Sequence, residues 1–143
     1  MGSISSVDAL ESLAVGAVAI TTLALAQAGV ELTFAQWRAL MVIGDGPDGA
    51  TVSEIAEQIG SAMSPASRLV ARMRDRDLVQ AEKDARDHRA TRVHLTARGS
   101  EVRERVVARR RELLEAAMGR CAPLSPDLTR AWMELATALR TRS

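Results

Sequence analysis

The chain has 143 residues, 47% of them hydrophobic and 26% charged, the balance of one ordinary globular domain and not of a disordered or collagen-like chain. A single cysteine, Cys121, cannot form an internal bridge, and two histidines, His88 and His94, are too few for a Cys/His zinc module, so a disulfide scaffold and a structural zinc are excluded and a reducing cytoplasm is expected. The net charge of +1 conceals a polarity: residues 1–60 carry −6, residues 61–98 carry +4 and residues 99–143 carry +3, and every cation except Lys83 is arginine. Arginine's planar fork matches phosphate oxygens and guanine edges, so nucleic acid is the first partner to consider.

In chain order, the uncharged run from Ser12 to Gly29 is close to the length of a membrane span. Its flank carries Asp8 and Glu11, no cation precedes Arg38, and the run is rich in Ala and Thr, which favours a buried helix over a signal peptide or a span. A helix apolar on nearly every side must be covered all round, and one small domain offers little cover, so a second copy of the chain is its natural partner. Thr33 caps a second helix with Phe34, Trp37, Leu40, Met41 and Val42 as apolar positions, ending at Gly44. Residues 44–49 satisfy G-x-G-x-x-G, but no strand precedes them and no parallel unit follows, so they read as a flexible connecting loop and not a dinucleotide site.

Thr51-Val52-Ser53-Glu54 is a capping box opening a short helix that stops at Gly60. Ser61 is expected to cap the next helix, to about Asp77, with Met63, Ala66, Leu69, Val70 and Met73 inward and Ser64, Ser67, Arg68, Arg72 and Arg74 outward. The two form a helix-turn-helix. Residues 78–82 and 91–95 alternate as strands around a charged hairpin tip, 83–90. Thr96 caps a long helix through Val102, Val106, Leu113 and Ala117. Ser125-Pro126-Asp127 opens a last helix with Leu128, Trp132, Leu135 and Leu139 as its stripe. The fold class is therefore mainly α with a small β-wing.

A recognition helix presents its N-terminal residues to base edges in the major groove, which places Ser64, Pro65, Ser67 and Arg68 at double-stranded DNA, with Arg68 the candidate for a bidentate guanine contact. Arg72 lies further along and meets phosphate or internal carboxylates. At the hairpin, Arg86 can enter a narrow minor groove with Asp84 bracing it, and His88 and Arg89 can meet backbone phosphates. His94, alternating within a strand, reads as structural, and Cys121 as an inert, partly buried thiol. No Ser/His/Asp order, paired loop carboxylates or metal cluster can be assembled, so neither an enzyme nor a cofactor is expected. The rival of another class is a winged helix used for protein contact or as a nucleoid scaffold without sequence choice.

Leu32-Thr33-x-x-Gln36-Trp37, Thr51-Val52-Ser53-Glu54-Ile55-Ala56, Ser67-Arg68-Leu69-Val70-Ala71-Arg72-Met73, Asp84-x-Arg86-Asp87-x-Arg89 and Val93-x-Leu95-Thr96-x-x-Gly99 together resemble the multiple-antibiotic-resistance regulator (MarR) family of winged-helix regulators. The resemblance implies a winged helix-turn-helix over residues 32–98, flanked by dimerisation helices in 1–31 and 99–143. It also implies a homodimeric repressor that binds a pseudo-palindromic operator and is released by a small aromatic or anionic effector. The family's effector position points to Trp37, Arg38 and Met41, and Arg38, the one cation of the first 60 residues, favours an anion.

Overall fold

Helix starts in this chain are written by hydroxyl side chains. In the computed structural model, which describes residues 2–141, five of six helices open on a serine or threonine whose oxygen accepts from a free first-turn amide. Ser5 precedes α1 (Ser6–Gln27), Thr33 precedes α2 (Phe34–Asp45) and Thr51 precedes α3 (Val52–Ile59), each as a reciprocal capping box with Asp8, Gln36 and Glu54 respectively. Thr96 caps α5 (Ala97–Met118) through the Gly99 amide at 2.9 Å, and Ser125 caps α6 (Pro126–Arg140) through Leu128 at 3.2 Å. The exception is α4 (Met63–Asp75): its N-cap is Ala62, which has no side chain to offer, and the Ser61 hydroxyl donates to the Ala62 carbonyl instead. The expected Ser61 cap is thus displaced by one residue.

The turn between α3 and α4 closes on Gly60, whose φ of 69° is left-handed and which lets the Ser61 amide reach the Ala56 carbonyl at 2.8 Å. After α4 the chain forms β2 (Val79–Lys83) and β3 (Thr91–Leu95), paired antiparallel with Ala81 opposite Val93. A two-residue strand, β1 (Ala50–Thr51), adds to the other edge of β3 and makes the sheet order β1-β3-β2. Two residues leave no period to read, so this strand is invisible to patterning. Gly49, just before it, has φ 66° and sits where a Cβ would run into the Val93 carbonyl; the loop read as flexible is instead pressed onto the sheet.

One apolar core joins α2, α3, α4 and the sheet through Leu40, Ile43, Ile55, Met73, Leu78 and Val93. A smaller one joins α1, α2 and α5 through Ala24, Leu25, Ala28, Trp37 and Val106. Helix α1 is therefore covered on one side only. Thr21, Ala24 and Leu25 are its buried residues, while Val7, Leu13, Val15, Val18 and Leu23 are exposed, so the all-round burial expected of it is not met within one chain. By length and composition it could also cross a membrane. Helix α6 has no buried residue, and its stripe of Leu128, Trp132, Leu135 and Leu139 is open. Between α1, α5 and α6 lies an apolar hollow of about 470 Å³ lined by Leu13, Ile20, Leu114, Met118, Leu124 and Trp132. Cys121, expected to be partly buried, is exposed at its rim.

Candidate nucleic-acid interface

Helix α4 is held to the body by Ala66, Leu69, Val70 and Met73, all buried. Their spacing of three and four residues turns the opposite side outward, and Ser64, Pro65, Ser67, Arg68 and Arg72 are all exposed there. Ser64 and Arg68, one turn apart, form a hydrogen bond in which Arg68 Nη1 donates to Ser64 Oγ at 2.9 Å. Met63 departs from expectation. Its spacing places it among the inward residues, yet it is 51% exposed, because it stands in the first turn, ahead of the point where the helix meets the core. An apolar side chain therefore sits beside the serines at the leading end of this helix. Arg76, just past α4, turns inward and its Nη1 donates to Gln36 Oε1 at 3.4 Å, which ties the helix end to the start of α2.

The hairpin carries its polar tip on its own backbone. The Asp84 amide donates to the Ala90 carbonyl at 3.0 Å, the Ala90 amide to the Asp87 carbonyl at 2.9 Å, and the Asp87 side chain accepts from the Arg89 amide at 3.0 Å. Arg86, His88 and Arg89 project from this frame and are exposed. Asp84 does not join them. It is 6% exposed, and its Oδ1 accepts from Arg92 Nε at 2.7 Å, so the residue expected to brace Arg86 at the tip braces the strand behind it. The Arg92 hydrogen bond holds the Asp84 carboxyl below the ordinary aspartate range; burial opposes that shift, and the Asp87 amide adds to it. The guanidinium of Arg92 is pushed up by the same contact.

Arg92 is the residue that pattern reading missed. Its Nη1 also donates to the Asp48 carbonyl at 2.9 Å, so a single side chain fastens the wing to the loop ahead of β1. His94 on the same strand lies 3.3 Å from Glu82 Oε1, a cross-strand contact in keeping with its structural reading. Further back, Arg103 of α5 lies against Gly44 and pairs with Asp45, joining α5 to the end of α2.

Of the three residues expected to share an effector site, Trp37 and Met41 fall in one core and Arg38 lies apart from them. Trp37 is buried in the core between α1, α2 and α5, and Met41 packs against that core. Arg38 points the other way, donating to the Gln58 carbonyl at 2.5 Å at the end of α3, where it borders a hollow of about 280 Å³ shared with Glu57, Leu139 and Arg140. Trp37 and Arg38 are consecutive on α2 and so project about 100° apart around its axis.

Residues 30–90 match the sequence pattern of the MarR family. A curated relative, the uncharacterized HTH-type transcriptional regulator YsmB of Bacillus subtilis (strain 168), is 33% identical over 79 residues, which are 55% of this chain and 50% of the relative. The chain thus spans about half the length of the curated relative it matches. Among solved structures, Rv1404 of Mycobacterium tuberculosis is similar with a TM-score of 0.79 at 24% identity, covering 99% of both chains. NadR, solved in complex with 4-hydroxyphenylacetate, is similar with a TM-score of 0.77 at 19% identity, covering 100% of this chain and 98% of its own. The segment that forms the helix-turn-helix and the first strand of the wing is thus similar to the MarR family, and the fold of the whole chain is the one found in Rv1404 and NadR.

Proposed function

We propose that the chain is a homodimeric repressor that binds a pseudo-palindromic operator in double-stranded DNA in the cytoplasm. The observation that carries this reading is the outward side of α4: Ser64, Pro65, Ser67, Arg68 and Arg72 are exposed on a helix whose other side is locked into the core, beside a wing that projects Arg86. A helix fits the major groove, and Arg68 then faces base edges while Ser67 and Arg72 meet base edges or phosphate. Arg86 reaches the adjacent minor groove, and His88 and Arg89 grip the backbone. Asp84 acts from within by holding Arg92 and hence the wing's pose.

Dimerisation is supported by the uncovered stripe of α6, the open side of α1 and the apolar hollow between them. Contiguous apolar surface of this kind on a small soluble domain marks an interaction site. A small anion is the effector the residues favour, held where Arg38 and Arg140 border the hollow between α2, α3 and α6. There it would change how the dimer helices sit against the DNA-reading unit, and so the spacing of the two α4 helices.

A gel-shift comparison of operator fragments selected from the source genome against scrambled duplexes tests the reading. Retention of the selected duplexes alone is expected. Equal retention of both makes the protein a nucleoid scaffold, and binding of neither at micromolar protein moves it to protein contact.

A further inference from the structure

The outward side of α4 contains one side-chain hydrogen bond, and it joins the two residues at the centre of that side. Relative to the buried Ala66, Leu69, Val70 and Met73, Ser64 and Arg68 stand opposite the core, while Met63 and Ser67 flank them on one side and Pro65 and Arg72 on the other. Arg68 Nη1 donates to Ser64 Oγ at 2.9 Å, and no carboxylate pairs with Arg68 among the described residues. By contrast, Arg105, Arg109, Arg111 and Arg130 on α5 and α6 are each paired with a glutamate or aspartate three or four residues away. The nearest carboxylate on the outward side of α4, Asp75, lies seven residues on, out of reach of such a pair.

We infer that Ser64 and Arg68 form a single guanine-reading unit, in which Ser64 is a positioning residue that holds the guanidinium of Arg68 so that its free edge meets O6 and N7 of a guanine in the major groove. The inference rests on the DNA-binding reading above and deepens it. A guanidinium has five N–H donors, and one spent on Ser64 leaves the Nε–Nη2 edge with two parallel N–H groups, the pair that a guanine accepts. An unrestrained arginine must order its long side chain on binding; one already held along its helix loses less freedom. Each operator half-site therefore carries a G·C pair whose recognition depends on Ser64 although Arg68 makes the contact.

The test uses the full chain and the tightest duplex from a randomised library, with fluorescence anisotropy against every single base-pair substitution. Arg68→Ala is expected to flatten the preference at one G·C pair per half-site, by about 10-fold or more. Ser64→Ala should flatten the same pair by a smaller factor, Ser64→Thr, which keeps the hydroxyl, should restore it, and the double variant should be no worse than Arg68→Ala. If Ser64→Ala leaves that pair's preference intact, alters a different pair, or adds independently to Arg68→Ala, the coupled unit is wrong while the DNA reading stands. If the unmodified chain selects no duplex, the DNA reading itself fails and the unit with it.

Discussion

Asp84 and Arg92 hold the base of the wing from behind its exposed tip. A short charge-assisted hydrogen bond between two largely enclosed side chains fixes the base of the hairpin, and the second arm of Arg92 carries that constraint to the loop at Asp48. Asp84→Asn should therefore lower the urea midpoint at neutral pH, and should weaken DNA binding even though the residue lies behind the surface. The pH dependence has a definite sign. The native carboxyl titrates below its ordinary value, so its stabilisation is complete above about pH 3.9 and is lost as pH falls through the lowered native value. The urea midpoints of the wild type and Asp84→Asn should differ above that pH and converge only below it. The sequence reading set Asp84 to brace Arg86 at the hairpin tip. The actual partner is eight residues away, on the returning strand, and the register that sets Glu82 opposite Arg92 brings it within reach. A cross-strand partner of this kind is set by pairing and turn geometry, which spacing along the chain does not display.

At the scale of elements, what could be read in advance were the features encoded by local chemistry. Thr33, Thr51, Thr96 and Ser125 open helices where hydroxyl and first-turn pattern say they should, and the alternation of 91–95 gives a strand with Val93 inward. Readings that needed tertiary placement were lost: the two-residue β1, the exposure of Met63, and the separation of Arg38 from the core that holds Trp37 and Met41. Thr51→Ala removes the cap of α3 and is expected to cost about 1 kcal/mol in chemical denaturation. Gly60→Ala forces a Cβ into a left-handed turn at the helix-turn-helix corner and should cost about 1–2 kcal/mol although nothing crowds that position. Met73→Ala hollows the point where α4 meets the sheet and should cost about 2–5 kcal/mol. Of the three, only the last threatens the orientation of the outward side of α4, so it alone should reduce DNA affinity at temperatures where all three variants remain folded.

For the whole molecule, the distribution of charge and apolar surface forms one arrangement. Along the chain, the acidic first 60 residues precede the cationic stretch of residues 61–98, which contains α4 and the wing, while the exposed apolar sides belong to α1 and α6, outside that stretch. Two chains joined through α1, α5 and α6 would cover the hydrophobic stripes and display two copies of α4. Trp132→Glu, which puts a charge into the stripe at a position 38% exposed in one chain, should shift sedimentation equilibrium toward monomer by at least 10-fold in dissociation constant while leaving the circular dichroism of the helix-turn-helix unchanged. DNA affinity should fall with it, since in the proposed complex a lone chain would hold a half-site with one α4 and one wing. In the proposed complex two chains read two half-sites at once. The most direct measurement is binding of the full chain to a selected palindrome and to the same palindrome with five base pairs inserted at its centre, which turns one half-site by about half a helical turn relative to the other. Two chains per duplex are expected on the original, with a loss of affinity of at least 10-fold on the insertion. Equal affinity for both duplexes, or one chain per duplex on the original, would contradict that complex.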